Sequence, residues 1–296
     1  MGADQKAIRQ KMKSIGNIKK ITKTMEMVSV AKMKKGTEMA NRGRAYSKYA
    51  LELVSHIAAM PEITHPLLAR EALEGRELVI VISSNKGLAG SYNTNISKAL
   101  SLYTKNKSEN IDCITIGKQS EKSARRNKLN IVASFVTFSE KSSSDEFLVI
   151  RDMIVEKFTK GEYAKISVLF TEFKSATTYK PYVMQILPVA PELYKNLLLE
   201  EESGTFNGEK FADYKFEPSE GEVLAQIIPQ IIAAALYHSF VESVASEHSA
   251  RMFAMKNAND NAGEILDDLT LFYNQARQSA ITQEISEIVG GAAALS

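Results

Sequence analysis

With one cysteine in 296 residues, Cys113, the chain can form no internal disulfide, and this usage fits a reducing compartment. Cys113 lies in the apolar run Ile111–Gly117 and reads as a small buried hydrophobe. No stretch of eighteen or more apolar residues occurs, so no membrane span is expected. The first residues carry charge from Asp4 onward and lack an apolar core, so neither a secretory signal nor an Arg-rich targeting peptide is expected. Histidines are few: His56, His65, His238 and His248. The last two stand roughly 15 Å apart along a helix, and no cysteine or carboxylate cluster completes a zinc pattern. There is no G-x-S-x-G sequence and no exposed thiol, which leaves nucleophilic catalysis without a candidate.

Phosphate-binding turns are missing as well. The loop Ser83–Ser91 follows an apolar strand, the position such a turn would take. In it Lys86 precedes Gly87 and no G-K-[ST] follows, so it is not a P-loop. Gly87 and Gly90 do not make G-x-G-x-x-G, the dinucleotide fingerprint. The loop reads as a glycine-requiring turn that ends in a helix start at Ser91 or Asn93. No cofactor is expected.

What the sequence does have is a charge asymmetry. Lys and Arg exceed Asp and Glu by two overall, but residues 1–48 alone carry a balance of +10 and the remainder −8. A basic arm points to nucleic acid, an anionic membrane or an acidic protein surface. The first aromatic is Tyr46, so bases would find nothing to stack on. The reading is an acidic protein partner and no nucleic acid.

Residues 1–60 read as one long helix. Ile8, Met12, Ile15, Ile18, Ile21, Met25 and Val28 recur at steps of three or four and share a side. A helix over 4–59 would be roughly 80 Å long, stopped by Pro61. Gly16, Gly36 and Gly43 weaken it, so it needs a partner. The partner spans 229–296: Pro229 suits a first helical turn and Gly290-Gly291 a stop. Within it Ala262, Ile265, Leu269, Phe272 and Ala276 follow a coiled-coil rhythm, and Leu266, Leu269, Tyr273, Ala276 and Ala280 fit the same rhythm one step round. Two helices from opposite ends of a chain would pair antiparallel.

Residues 76–190 differ in texture. Strands are expected at 78–82, 111–117, 130–136, 166–173 and 181–187, the last antiparallel to its neighbour. Helices are expected from the Ser83–Ser91 loop to Tyr103, at 118–127 and at 145–160. This alternation predicts a Rossmann-like open α/β sheet. Residues 191–228 read as a connector; within it 192–222 hold nine acids against three bases.

The two ends also carry long specific motifs. Ile18–Val28 with Ala31-Lys32-Met33 at the front, and Ala245–Met252, Asn274–Ile285 and Glu287–Ala292 at the back, resemble the γ-subunit family of the rotary ATP synthase, bacterial type. The resemblance is looser in the middle, through Gly87-Leu88, Gly90, Asn93 and Gln185-Leu187-Pro188. It implies a non-catalytic rotor shaft that couples proton-driven rotation of a membrane c ring to ATP synthesis or hydrolysis. Three α and three β subunits would surround one copy, and the ε subunit would bind the α/β domain. Met25, Lys20 and Lys23, with Lys19, Lys32, Lys34 and Lys35 nearby, would face an acidic β-subunit loop. Arg277, Gln278, Thr282, Glu284 and Glu287 would meet the catalytic head, and Asp213, Tyr214 and Glu217 the c ring. The implied place is peripheral, on the cytoplasmic face of a bacterial plasma membrane. Rival classes are a coiled-coil scaffold that does not rotate and an α/β enzyme that dimerises through its helices.

Overall fold

The structure is a computed structural model in which residues 3–42, 65–68, 75–105, 108–190, 217 and 219–295 are described. The expected helix at 43–59, the Pro61 stop, His56 and most of the 191–228 connector lie outside them. The described chain falls into two compact units, 31–250 and a second made of residues 1–30 with 251–296.

The larger unit is built on five strands. They are β1 (Glu77–Ile82), β2 (Ile111–Ile116), β3 (Asn130–Phe135), β4 (Lys165–Phe173) and β5 (Tyr179–Leu187), ordered β3-β2-β1-β4-β5. The first four are mutually parallel and β5 runs antiparallel to β4. Between them lie α2 (Tyr92–Tyr103), α3 (Lys118–Arg126) and α4 (Leu148–Thr159). Two further helices come from the chain ends: α1 (Ala3–Arg42) and α5 (Glu220–Leu295).

Alternation along β1 sorts its side chains to two cores. Val79 and Val81 pack with Ile96 and Leu100 of α2, Ala124 of α3 and Cys113. Leu78, Ile80 and Ile82 pack with Ile150 and Ile154 of α4 and a run of α5 from Leu224 to Val244. A strand buried on both faces has to be continuously apolar, and Leu-Val-Ile-Val-Ile is.

Two devices close this unit. β1 pairs with β4 only as far as Leu169, so the backbone of Thr171 lies beyond it. Serines on α5 take over: Thr171 N–H donates to Ser243 Oγ (3.0 Å) and Ser246 Oγ donates to Thr171 C=O (3.3 Å). At the other end of the strands sits buried Asp112, accepting from Arg76 (2.6 Å), Tyr163 (2.7 Å) and Asn130 (3.1 Å). Burial pushes the Asp112 carboxyl up, but those hydrogen bonds and the Arg76 charge outweigh it and hold it below its ordinary value.

Gly117 joins β2 to α3 at φ +98°, and a Cβ there would run into the Ser83 carbonyl. Only glycine fits that turn. In the Ser83–Ser91 loop Gly90 takes the left-handed conformation, and so does Leu88. Ser91 is the N-cap of α2, one of the two positions expected.

In the smaller unit the two chain ends pair. Gln5 Nε2 donates to the Ala276 carbonyl (3.2 Å), and Lys19 Nζ lies 3.0 Å from where Gly263 would carry a Cβ. Fourteen residues forward on α1 are thus matched by thirteen back on α5, an antiparallel register. The larger unit has its own such contact, Gly36 against Ala245.

Several helix expectations need correction. α5 starts at Glu220, not at Pro229, which lies inside it. An interior proline costs about 3 kcal/mol, but Leu224, Ile228, Ile231 and Ile232 around it are fully buried and hold the turn in place. Burial of each is worth about 1.5–3 kcal/mol. The helix also continues past Gly290-Gly291 to Leu295, since neither glycine is left-handed and three alanines follow. One 18-residue window of α5 is apolar enough to cross a membrane, with mean hydropathy 1.4. As 56% of it is buried inside the protein, it is a core helix.

The paired stripe of α1 differs in part: Ile8, Met12, Ile15 and Met25 are half-buried as expected, but the other three members are not. Ile18, Ile21 and Val28 are 45%, 58% and 48% exposed, whereas Thr22 and Ser29 are buried. On α5, Ile265 and Phe272 face outward, and the buried or half-buried stripe runs 262, 266, 269, 273, 276, 280. Small hydroxyl residues win the α1 seam because they let the axes approach and bond to their own helix. Thr22 Oγ1 donates to the Ile18 carbonyl (3.1 Å) and Ser29 Oγ to that of Met25 (2.7 Å).

Two glycines of α1 should therefore respond in opposite directions. Nothing lies within 4 Å of a Cβ at Gly16, so Gly16→Ala should stabilise by about 0.5–1 kcal/mol. At Gly36 the Cβ would already be 3.3 Å from Ala245, so Gly36→Leu should cost about 1–3 kcal/mol. Denaturant melts of both variants check the pair, and equal shifts would contradict the packing.

Asp112 makes a pH prediction. Its depressed pKa means the unfolded chain takes up the proton first as pH falls. The stabilisation is therefore complete above about pH 4 and fades as pH drops through the folded-state value. Asp112→Asn should cost about 1–3 kcal/mol at neutral pH, with the gap to the native protein closing below about pH 4. A gap of constant size down to strong acid would contradict the ionised cluster.

Candidate functional site

The residues singled out at the chain ends fall on the smaller unit. Lys20 and Lys23 are exposed on α1, and Lys23 pairs with Glu26 one turn further on at 3.1 Å. Met25 is half-buried beside the seam. On α5, Arg277, Gln278, Thr282, Glu284 and Glu287 are all exposed. Thr282 Oγ1 donates to the Gln278 carbonyl (3.0 Å) and Gln283 Nε2 to Glu287 (3.0 Å). Because Gln5 is level with Ala276, Lys20 stands about 24 Å along the pair from Arg277, roughly sixteen residues at ~1.5 Å each. The structure therefore forms two separate patches at different heights. Of the c-ring candidates, Glu217 is exposed; Asp213 and Tyr214 lie outside the described residues.

Not every basic residue near the first patch is free to meet a partner. Lys32 is bound to Glu140 of its own unit at 2.5 Å. Burial raises the Glu140 pKa, but the Lys32 hydrogen bond and charge, with smaller contributions from its own backbone and His248, bring it below normal. Lys19 lies across Gly263. Lys20, Lys23, Lys34 and Lys35 remain exposed.

An apolar surface accompanies the charge. Ile18, Ile21, Met27, Val28 and Val30 are exposed on α1. Ile281, Ile285, Ile288 and Val289 are 46–71% exposed on α5, beyond the point level with Ala3 in the antiparallel register. Sequence reasoning did not single these out. Spacing of four, three and one marks 281, 285, 288 and 289 as one helix face, and counting the register from Gln5 shows that α1, as described from Ala3 onward, does not lie level with it.

The loop after β1 is closed on itself. The Ser84 N–H and hydroxyl both donate to Asn93 Oδ1 (3.4 and 2.8 Å), and Asn85 bridges the Phe138 carbonyl (2.9 Å) and the Lys118 N–H (3.1 Å). A side-chain amide thus occupies a place where a phosphate cradle would offer free donors. The Cys113 thiol is buried, and burial followed by the Asp112 charge pushes it up to about 12. Among the described residues no three His, Cys, Asp or Glu side chains are grouped to hold a metal.

The sequence pattern of the ATP synthase family matches residues 4–295. The chain belongs to the ATP synthase gamma-chain family. The ATP synthase gamma chain of Pelotomaculum thermopropionicum is 38% identical over 290 residues, 97% of this chain and 98% of that one. That of Dehalococcoides mccartyi is 36% identical over 296 residues, 99% of each. Among solved structures, a chain of the Euglena gracilis mitochondrial ATP synthase (OSCP, F1 and c-ring, rotational state 3) superposes with a TM-score of 0.67 at 17% identity. It covers 100% of this chain and 95% of that one. A chain from the Tetrahymena thermophila central stalk and c-ring gives 0.60 at 23% identity, over 80% and 99%. At such identities these two speak for the fold: a mixed α/β sheet with a long C-terminal helix. Gamma-chain membership agrees with the helix pairing and the outward-facing patches.

Proposed function

We propose that the chain is the non-catalytic rotor shaft of an F-type ATP synthase, one copy within three α and three β subunits. Proton flow turns the c ring, the shaft turns with it, and its asymmetric surface drives each β site through its binding states. The patch at Lys20, Lys23 and Met25 meets an acidic β-subunit loop. Arg277, Gln278, Thr282, Glu284 and Glu287 meet the head, and Asp213, Tyr214 and Glu217 the c ring. The ε subunit binds the α/β unit. The assembly sits on the cytoplasmic face of a bacterial plasma membrane, with this chain peripheral to it.

The observation that carries this reading is the pairing of the two chain ends while their outward faces stay uncovered, Ile281, Ile285, Ile288 and Val289 above all. Bare apolar residues on a helix past its partner's reach suit a tip enclosed by other subunits. The self-bonded Ser84 loop and the un-ionised, buried Cys113 support a chain that brings no chemistry of its own.

Purification from native membranes tests the reading. One copy per three α and three β is expected, and the isolated chain should neither bind Mg-ATP at micromolar concentration nor hydrolyse it. A free dimer with its own turnover would overturn the proposal.

Charge at the β interface should act in aggregate. Single exposed ion pairs contribute about 0–1 kcal/mol, so Lys→Gln at Lys20, Lys23, Lys34 or Lys35 alone should leave most ATP-driven proton pumping. Changing all four should lower protons pumped per ATP hydrolysed, with a smaller deficit at high salt, where the native advantage is already screened. Full coupling of the fourfold variant at low salt would contradict this use of the charge.

A further inference from the structure

The larger unit carries a second basic surface, far in sequence from the N-terminal arm. α2 and α3 each link neighbouring parallel strands and pack on the same face of the sheet, so they run side by side in the same direction. Between them opens a groove of about 620 Å³. Lys98 stands on one wall, and Lys122 and Arg126, one turn apart, on the other. The rest of the lining is mostly hydroxyl and amide groups such as Ser101 and Gln119, without one carboxylate.

The groove is held open by its own framework. Ser101 Oγ donates to Asn127 Oδ1 (2.7 Å), tying the end of α2 to the end of α3, and Asn127 Nδ2 donates to the Ser123 carbonyl (2.8 Å). The neighbouring Arg125 is satisfied by Glu121 at 2.8 Å. Lys98, Lys122 and Arg126 are exposed, and no salt bridge to any of them is present among the described residues. Leu102 also lines the groove and is 73% exposed, more than any other large hydrophobic residue of the described chain.

Three cations that face one cleft without a counter-charge repel one another, and a negatively charged occupant relieves this. A bare leucine beside them asks for an apolar side chain on the same occupant. No aromatic residue lines the groove, so unpaired bases would have no stacking surface. A lone phosphate would be poorly held, because Lys122 and Arg126 are about 6 Å apart along α3 and point from an open wall. We propose that the α2–α3 groove docks an acidic protein segment, its carboxylates on Lys98, Lys122 and Arg126 and an apolar side chain on Leu102. That the segment belongs to another subunit of the assembled enzyme rests on the function proposed above; the chemistry of the groove does not.

The test has two arms, both with the full chain. In the first, a fluorescent synthetic peptide of alternating glutamates and leucines is titrated into the isolated protein. An exposed ion pair is worth roughly one-and-a-half- to fivefold in affinity, so Lys98→Glu/Lys122→Glu/Arg126→Glu should weaken binding about tenfold or more. Leu102→Ser should weaken it several-fold. If the triple variant fails to fold, Lys122→Gln/Arg126→Gln replaces it, with a loss of a few-fold expected. In the second arm, a photo-crosslinking residue replaces Ser97 on the groove wall in the purified complex, with exposed Val149 of α4 as control. Mapping should find an acidic, leucine- or isoleucine-containing stretch of another subunit at position 97 only. Equal peptide affinity in native and charge-changed protein would overturn the proposal, as would an assembled complex with no crosslink at 97 or with a nucleic-acid adduct there. Failure to assemble would count against the rotor function instead, and the peptide titration would then decide the groove.

Discussion

The close approach of two helices from opposite ends of the chain is the constraint on which the rest depends. Neither helix is well designed to stand alone: α1 carries Gly16 and Gly36, and α5 carries Pro229 and Gly263. They meet instead through residues small enough to bring backbones together, Ser29 and Thr22 on α1 and Ala262 on α5 in the smaller unit, Gly36 and Ala245 in the larger. Buried hydroxyls ordinarily carry a desolvation cost, but here each returns its proton to a carbonyl of its own helix. The seam is therefore close-packed without leaving a polar atom stranded, and the larger apolar side chains are free to point outward.

That outward turn links packing to function. In a protein working alone, Ile18, Ile21 and Val28 on one helix and Ile281, Ile285 and Ile288 on the other would be liabilities. In a subunit enclosed by others they are contact surface. α5 also carries a second burden, because its earlier part fills one face of the sheet and donates Ser246 to the end of β4. The Asp112 cluster grips the opposite end of the strands. A sheet anchored at both ends gives the proposed rotor a firm body through which a ring could turn it.

Much of this was legible in the residues. Apolar runs of five or six between glycine and serine loops placed all five strands to within two residues, including the antiparallel one. Helix limits were less legible, because Pro229 and Gly290-Gly291 are local signals and tertiary burial or a following alanine run overrode them. The seam misled for a different reason. Periodicity favours large apolar residues, and Leu266, Leu269 and Tyr273 do lie on the seam, but α1 buries the small Thr22 and Ser29 there while Ile18, Ile21 and Val28 turn outward. Apart from half-buried Met25, the site residues on the chain ends are exposed, but their separation into two heights needs the register. The Lys32–Glu140 pair and the α2–α3 groove join residues distant in sequence, which no local pattern reveals.

Disulfide trapping in a Cys113→Ala background tests the antiparallel register most directly, since it removes the only native thiol. Cysteines at Gln5 and Ala276 should close rapidly under mild oxidation within a single chain. Cysteines at Gln5 and Leu266, displaced by about 15 Å along the pair, should not. Closure of the displaced pair, or crosslinks only between chains, would contradict an antiparallel pairing of the two ends.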